Sequence, residues 1–333
     1  HPATGLFRPA IPQGSYGRLA ELSRGKDTAT GHWEIMGVVT QVPFITFPNG
    51  FPESIIREFS RRVGRGVLGN VPASGTEIIQ ELGAQHQATG DLIVYTSADS
   101  VFQIAAHEET VPLEELYRAC EIAYEVVTPQ GVARVIARPF LGTPGNYRRT
   151  ENRHDYTVPP PSETVMQQLV AKGIPVTGVG KIRDIYAGMG VSHHIRATNN
   201  HDITARTLGA IREGRSGLIF ANLVDFDMLY GHRRNAQGFA GALQAFDDAL
   251  PEIMAAMVPG DLLILTADHG NDPTMPGTDH CREYVPLLVY SPTRPVGRAL
   301  GDRSSFADIA ATIAEAFGAA GTGVGQSFLH EVM

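Results

Sequence analysis

The chain has 333 residues, of which 43% are hydrophobic and 19% are charged, and its formal net charge is −8. This length favours two domains, and the hydrophobic content excludes disorder as the main state of the chain. The negative charge argues against a general nucleic-acid binder, and no apolar run approaches the roughly 18 residues that a membrane-spanning helix needs.

The start of the chain, residues 1–17, is predicted to be a loop. It begins with His1, and no charged-then-apolar leader follows, so we expect no signal peptide. The two cysteines, Cys120 and Cys281, are too few for a disulfide framework. They favour a reducing compartment, and we expect the protein to be cytoplasmic.

Residues 26–34, with the sequence KDTATGHWE, combine two threonine hydroxyls with a glycine and the single tryptophan of the chain. A threonine hydroxyl is a weak nucleophile, but coordination to a metal can activate it. The segment is therefore a candidate for a catalytic role. An ordinary turn is the alternative, since Thr-x-Thr-Gly is common in turns.

Short apolar runs bounded by Gly, Pro, Asp or Ser predict buried strands along the rest of the chain. They occupy residues 92–96, 132–137, 175–179, 218–222, 262–266 and 286–290. Helical spacing of apolar residues, including Val170 and Leu243, predicts helices over residues 162–172, 239–257 and 306–317. Pro251 is expected to kink or divide the second of these. Strands that alternate with helices predict an α/β protein with a mostly parallel sheet.

Two proline-rich stretches predict domain boundaries. Residues 141–161 contain three consecutive prolines and suit a stiff connector, and a second break lies near residues 42–52. We therefore expect a core formed by residues 1–42 and 159–333, with residues 43–158 inserted into it as a second domain.

The strongest chemical signal follows the predicted strand at residues 262–266. Asp268 and His269 come directly after this strand, and His280 follows eleven positions after His269. Ligands of open α/β sheets bind beyond the carboxyl ends of the strands, and oxygen and nitrogen donors there suit a divalent metal. The alternative is a turn that uses Asp and His only as helix caps.

A second cluster follows the predicted strand at residues 218–222. It contains Asp225 and Asp227, with His232 five residues after Asp227. Two such clusters can meet across a sheet and hold two metals, which is an arrangement that serves phosphoryl transfer. The alternative is that Asp225 and Asp227 cap the next helix.

Together, these segments resemble the phosphopentomutase family of the alkaline phosphatase superfamily. The resemblance lies in KDTATGHWEIMG, TSADSVFQIAAHEE, NRHDY, VDFDMLYGHRR and ADHGNDPT…GTDHCREYVPLL, and runs from about Lys26 to the C-terminus. It implies an α/β fold with an alkaline-phosphatase-like core, a mostly parallel sheet between helices, and an inserted α/β cap domain at residues 43–158.

The resemblance also implies site residues. Thr28 matches the phosphorylated nucleophile of the family and a metal ligand. One manganese would be held by Asp227, His232 and His280, and a second by Asp268 and His269, with other divalent metals also able to serve. Contacts to the substrate are implied for Ser97, Asp99, Arg134 and Lys181. The alternatives are a loop cap for Asp99 and solvated surface charges for Arg134 and Lys181.

The implied reaction interconverts α-D-ribose 1-phosphate and D-ribose 5-phosphate, and the 2-deoxyribose pair. A phosphothreonine enzyme passes through a sugar bisphosphate, which also serves as activator, and the cap excludes water. The expected partners are small phosphosugars, with no nucleic acid and no membrane. The alternatives are another dimetal enzyme of the superfamily, such as a phosphoglycerate mutase or phosphodiesterase, and an inactive truncated homologue that binds metal and phosphosugar.

Two departures from the family pattern matter. Cys281, beside His280, stands where the family usually has Thr, and could either disturb the metal's surroundings or be a small packed residue. The family's first strand, and an Asp after it that binds the second metal, have no equivalent here. We therefore expect the position held by Asp227, His232 and His280 to be the more complete, and the chain alone to be poorly soluble or nearly inactive.

Overall fold

The computed structural model describes residues 11–97 and 99–333. The chain forms two compact units. The split unit combines the chain up to Val42 with Pro159–Met333, and the inserted unit is Pro43–Val158. Within the described residues, no helix is long and apolar enough to cross a membrane.

The strands, in chain order, are β1 (Ser15–Leu19), β2 (Val67–Pro72), β3 (Leu92–Thr96), β4 (Val101–His107), β5 (Arg134–Leu141), β6 (Arg148–Arg149), β7 (His154–Thr157), β8 (Val176–Val179), β9 (His193–Ile195), β10 (Leu218–Ala221), β11 (Leu263–Leu265), β12 (Val285–Tyr290) and β13 (Ala299–Arg303). The α-helices are α1 (Thr28–Ile35), α2 (Glu53–Val63), α3 (Gly75–Thr89), α4 (Leu113–Val127), α5 (Val165–Ala171), α6 (Ile182–Ile185), α7 (Asn200–Arg212), α8 (Ala236–Ala256), α9 (Ala307–Ala316) and α10 (Leu329–Val332).

The described residues of the split unit form two sheets. One has the order β10-β8-β9 and is entirely parallel. The other has the order β11-β12-β1-β13, in which only the β1–β13 pair is parallel. The predicted α/β class is therefore confirmed, with one parallel and one mixed sheet in this unit.

The inserted unit has one mixed sheet, with the order β2-β3-β4-β5-β6 and with β7 also paired to β5. On one face, α2 and α4 bury Phe59, Phe102, Val135 and their neighbours in a core cluster. On the other face, α3 buries Ile78 and Ile79 against Ile93 and Phe140. The unit is thus a sheet with helices on both faces, which is a standard α/β arrangement.

All six predicted strands exist, but two were predicted to be buried and are not. Each residue of β10 and β11 is only half-buried. Both strands lie at the edge of their sheets, so each is paired on one side within the described residues. In β12, buried and exposed residues alternate, as is usual for an antiparallel strand with one open face.

The three predicted helices are α5, α8 and α9, with small shifts at their ends. Pro251 neither ends nor divides α8, which runs through it. The carbonyl of Asp247, which loses its hydrogen-bond partner there, belongs to an exposed residue and can be solvated. Val170 and Leu243 were predicted to face the core but are 39% and 52% exposed.

Two loop predictions need correction. The predicted opening loop contains the start of β1, which pairs with β12 and β13 through its backbone and so needs no apolar pattern; residues 1–10 lie outside the described residues. The predicted connector at residues 141–161 contains β6 and β7, because both pair with β5 along the edge opposite β4.

The buried carboxylate of Glu34 joins three parts of the split unit. Glu34 is on α1 and is fully buried. Its oxygens accept hydrogen bonds from the backbone N–H groups of Leu22 (2.9 Å) and Ser23 (2.6 Å). They also accept from the Ser305 hydroxyl (2.8 Å) and the Phe306 N–H (3.0 Å), just before α9. A carboxylate is the side chain that can accept all of these bonds without offering a donor.

We predict that Glu34→Gln lowers the free energy of unfolding by about 3 kcal/mol, because the amide places a donor against backbone donors and leaves them unsatisfied. Urea unfolding measures this. The control is Glu53→Gln on the exposed surface of α2, where an i,i+4 pair with Arg57 is worth at most about 0.5 kcal/mol. Equal losses in the two variants would contradict the role given to Glu34.

Candidate metal centre

Two strand ends of the split unit supply the predicted ligands. Asp227 lies in a π-helical turn, Phe226–Gly231, that follows β10, and Asp268 and His269 follow β11. Thr28 is the first residue of α1. The carboxyl ends of strands are where α/β sheets place their ligands, and the structure brings these residues together there.

Asp227, His232 and His280 converge on one point. The Nε2 atom of His280 lies 3.2 Å from Asp227 Oδ1 and 3.3 Å from His232 Nε2, and His232 Nε2 lies 3.2 Å from Asp227 Oδ2. Asp227 therefore does not serve as a helix cap. Asp225 does act at a helix start, but at α7 rather than the next helix, where its carboxylate accepts the Asn200 N–H at 2.8 Å.

Thr28, Asp268 and His269 form an adjoining set. His269 Nε2 lies 3.3 Å from the Thr28 hydroxyl and 3.4 Å from Asp268 Oδ2. The rings of His269 and His280 stack with their centroids 3.6 Å apart, so the two sets of residues are in direct contact. Ligand-type atoms of Asp227, His269 and His280 all lie within 4.8 Å of one another.

The histidine tautomers favour metal binding. The Nδ1–H of His280 donates to the Lys26 carbonyl (2.8 Å), and that of His232 donates to the Thr278 carbonyl (2.6 Å). Each ring, when neutral, therefore presents the lone pair of Nε2 to the centre, which is the usual arrangement of metal-binding histidines. Asp268 Oδ2 is buried without an accepted hydrogen bond among the described residues, although His32 Nδ1 lies 3.1 Å away. These donors fit divalent cations.

The pKa values of these groups move in opposite directions. Burial opposes ionisation of Asp227, but hydrogen bonds from His232 and His280 outweigh it and hold the pKa of Asp227 well below its ordinary value. Burial likewise opposes ionisation of Asp268, and its pKa is lowered by His269 and His32. Burial lowers the pKa of His269, whereas the pKa of His280 is raised despite burial because it bonds Asp227. The carboxylates are thus ionised and ready to bind cations.

The two threonines of the KDTATG segment have different surroundings. The Thr30 hydroxyl is buried and donates to Asp27 Oδ2 at 2.6 Å, as part of the N-terminal cap of α1. The Thr28 hydroxyl faces His269 instead. The geometry therefore favours Thr28 as the reactive hydroxyl.

The four predicted substrate contacts lie in different units. Lys181 is in the split unit, and its ammonium group lies 2.8 Å from Met228 Sδ, beside Asp227. Ser97, Asp99 and Arg134 are in the inserted unit. Asp99 is exposed between β3 and β4, and Arg134 pairs with Asp155 at 3.3 Å and is only partly exposed.

Asn271 and His32 belong to the site but were not predicted. Asn271 donates to Asp227 Oδ1 at 2.6 Å, and His32 donates to the Thr28 carbonyl at 2.8 Å. Both lie inside the motifs that carried the resemblance. Cys281 is half-buried, and its N–H donates to the Gly270 carbonyl at 2.9 Å, so it is a packed residue of the segment that holds His269 and His280.

Lys26 and Arg282 lock the segment before Thr28 to the segment around His280. Lys26 donates to the Asp279 carboxylate and to the His280 carbonyl, both at 2.6 Å. The Arg282 guanidinium donates to four backbone carbonyls, at distances of 2.8 to 3.3 Å, which are those of Glu21, Ser23, Arg24 and Gly25. These contacts were not predicted either.

Glu21 lies in the segment that Arg282 holds. Its side chain is 4% exposed, and Oε2 lies 3.4 Å from Arg282 Nη1, while Oε1 is buried without an accepted hydrogen bond among the described residues. Burial, opposed by Arg282 and reinforced by Glu34, Asp27 and Asp268, raises the pKa of Glu21 to about 8. Because the folded protein holds this proton more tightly than the unfolded chain does, the group contributes its full stability below about pH 4.5. This contribution is lost as pH rises through about 8.

We predict that Glu21→Gln, a neutral mimic of the protonated acid, becomes more stable than the parent as pH rises. Each pKa unit is worth about 1.4 kcal/mol, so the relative gain should reach a few kcal/mol by alkaline pH. Thermal unfolding at pH 5, 7 and 9 measures it, and the exposed Glu283→Gln controls for the loss of one charge. A difference between parent and variant that does not change with pH would contradict this.

Comparison with known proteins identifies the family. The family model described as the metalloenzyme superfamily matches residues 17–320. The phosphopentomutase of Caldanaerobacter subterraneus subsp. tengcongensis is 58% identical over 320 residues, covering 96% of this chain and 81% of the relative. That of Carboxydothermus hydrogenoformans is 56% identical over 333 residues, covering 100% and 86%.

Solved structures are more distant. The PH0037 protein from Pyrococcus horikoshii is 15% identical with a TM-score of 0.49, covering 92% of this chain and 87% of that one. Alkaline phosphatase from the Antarctic bacterium TAB5 is 13% identical with a TM-score of 0.37, covering 95% and 93%. Nothing further follows from such low scores. The sequence matches, however, cover nearly the whole chain at more than half identity, and the chain belongs to the phosphopentomutase family within the metalloenzyme superfamily.

Proposed function

We propose that the chain interconverts α-D-ribose 1-phosphate and D-ribose 5-phosphate, and the 2-deoxyribose pair, through a phosphothreonine and a sugar bisphosphate. The observation that carries this is the Thr28 hydroxyl, 3.3 Å from His269 Nε2 and beside two convergent sets of metal ligands. Identity of 56–58% to proteins named phosphopentomutase supports the substrate class.

Thr28 carries the phosphoryl group in the proposed reaction, and neighbouring residues hold it in position. Phosphorylated Thr28 gives its phosphoryl group to the free hydroxyl of a sugar monophosphate, which forms the bisphosphate. After the sugar turns round, the Thr28 oxygen takes back the other phosphoryl group. His32 holds the backbone of Thr28, and Lys26 holds the backbone of His280, so the nucleophile keeps its place during both transfers.

The ligand sets suit two divalent cations, taken to be manganese, which would supply the positive charge that balances the transferring phosphoryl group and the threonine oxygen. Asp227, His232 and His280 would hold one, and Asp268 and His269 with Thr28 would hold the other. In the first set, both histidines donate Nδ1–H to a backbone carbonyl and so keep Nε2 for a metal, and we therefore expect this set to bind its ion more tightly.

The substrate contacts remain part of the proposal. Lys181 and Arg134 take the phosphate, and Ser97 and Asp99 take the ribose hydroxyls. The inserted unit acts as the cap that excludes water, because water at phosphorylated Thr28 would convert the mutase into a phosphatase. A sugar bisphosphate primes the enzyme by phosphorylating Thr28.

We predict that Thr28→Val lowers turnover of ribose 5-phosphate by about three orders of magnitude or more, since the acceptor of the phosphoryl group is gone. Thr30→Val removes only the hydrogen bond from the hydroxyl to Asp27 and should cost about 1 kcal/mol of stability with turnover largely kept. Coupled assays and mass spectrometry of the phosphorylated peptide measure both. Phosphate on Thr30, or full turnover by Thr28→Val, would contradict the assignment.

We also predict that a chelator abolishes turnover and that Mn²⁺ restores it. His232→Gln should weaken binding of the first ion by at least about tenfold, because it removes one of three ligands, whereas the exposed His330→Gln should not. Metal titration of the chelated protein measures this without relying on activity. Full activity in metal-free protein, or equal affinities in the two variants, would be the contrary result.

A further inference from the structure

The side-chain amide of Asn271 is hydrogen-bonded to one of the metal ligands. Asn271 lies three residues after Asp268, in the loop that follows β11, and its Nδ2 donates to Asp227 Oδ1 at 2.6 Å. An ionised carboxylate accepts hydrogen bonds and donates none, so its partner is the NH₂ group of the amide and not the amide oxygen. The bond therefore fixes the orientation of the Asn271 amide and restrains one oxygen of Asp227.

This bond can persist beside a bound cation, whereas the histidine contacts of Asp227 cannot. The Nε2 atoms of His232 and His280 lie 3.2 Å from Asp227 Oδ2 and Oδ1 respectively. In the neutral rings the proton is on Nδ1, so Nε2 can bind a metal but cannot donate to the carboxylate. The side-chain contacts of the described residues then leave Asn271 as the donor that holds Asp227. Because its amide is uncharged, it does not repel the cation.

Gly231 makes room for the Asn271 amide. A Cβ atom at this position would lie 2.3 Å from Asn271 Nδ2 and 2.4 Å from Asn271 Cγ, which is far inside van der Waals contact. Gly231 is buried, and it is the last residue of the π-helical turn that contains Asp227 and directly precedes His232. A side chain at position 231 would therefore displace either the amide or the two ligands on this turn.

The backbone beside Asn271 is held as well. Gly270 forms an isolated antiparallel bridge with Cys281, in which the Cys281 N–H donates to the Gly270 carbonyl at 2.9 Å. Since Cys281 follows His280, the loop that carries Asn271 is paired with a segment that carries a metal ligand. Asn271 thus reaches Asp227, 44 positions away in the sequence, from a restrained backbone.

We propose that Asn271 is a positioning residue for the metal set formed by Asp227, His232 and His280, and that position 231 requires glycine to accommodate the Asn271 amide. Asn271 binds no metal itself. It acts through Asp227, whose carboxylate it keeps aligned when a cation takes up the histidine Nε2 atoms. Hydrogen-bond partners of metal ligands typically contribute about ten- to hundredfold to metal affinity. The inference rests on the metal centre of the proposed function.

Manganese titration of the chelator-treated full chain, with the free ion followed by electron paramagnetic resonance, tests this role. Asn271→Ala should weaken binding of the tightest ion at least about tenfold. Gly231→Ala should weaken it similarly, because the added methyl group displaces the amide. In the Asn271→Ala background, however, Gly231→Ala should add little further loss, since the amide is gone. Such non-additivity is expected of two residues in contact and not of two independent structural defects.

The matched control is Asn199→Ala. The Asn199 side chain caps α7 by accepting the Asp202 N–H at 2.9 Å, away from the metal ligands in the sequence. Loss of this cap should lower the melting temperature of the metal-free protein and leave its manganese affinity like that of the parent. The control therefore separates a general loss of stability from a specific loss of metal affinity.

Three results would each overturn the proposal. They are equal manganese affinity in Asn271→Ala and the parent, additive losses from the two variants, and an equal loss of affinity in Asn199→Ala. If Gly231→Ala does not fold alone, folding of the double variant supports the contact, and misfolding of both contradicts it. If Asn271→Ala loses affinity but the parent shows no mutase turnover, the role of Asn271 holds and the proposed function fails. Turnover by the parent together with equal affinities gives the opposite result.

Discussion

The contact between the Thr28 segment and the His280 segment is the constraint on which the site depends. Lys26 and His280 are 254 positions apart in the chain, yet each bonds the other's backbone carbonyl. Arg282 adds four bonds to the carbonyls of residues 21–25. Ligands of one metal must converge on one point, and these contacts hold together two ligand segments that are far apart in the sequence.

The same constraint explains the buried charges around it. Glu34 ties the segment of Leu22 and Ser23 to α1 and to the start of α9, so the residues before Thr28 are held from both sides. This packing buries the Glu21 carboxyl, which is unfavourable for its ionised form and raises its pKa to about 8. Asp268 is buried, and the nearby His269 and His32 keep it ionised. An ionised carboxylate is the form that binds a cation.

The sequence predicted the α/β class and six of the thirteen described strands, because buried strands carry a local apolar signal, as at Leu92–Thr96. It missed the other seven, among them β1 and β6, whose pairing depends on distant partners rather than on their own side chains. It also predicted burial for β10 and β11, because an apolar run does not reveal that its strand lies at a sheet edge. A local sequence pattern predicts whether a segment forms a strand or a helix better than it predicts how that element is packed.

The site shows the same division. Their place after strands and the family resemblance predicted five ligand residues, and the structure brings these residues together. They are Asp227, His232, Asp268, His269 and His280. Their supports were not predicted. Arg282 and Asn271 act through bonds to a loop and to a carboxylate far away in sequence. No spacing rule marks such residues, although both stand inside the motifs.

Anomalous scattering from crystals of the manganese-loaded protein tests the central claim most directly. We expect two peaks. One should lie within bonding distance of Asp227, His232 and His280, and the other within bonding distance of Thr28, Asp268 and His269. A single peak shared by Asp227, His269 and His280 would contradict it, because those three residues would then form one site and Thr28 would stand outside it.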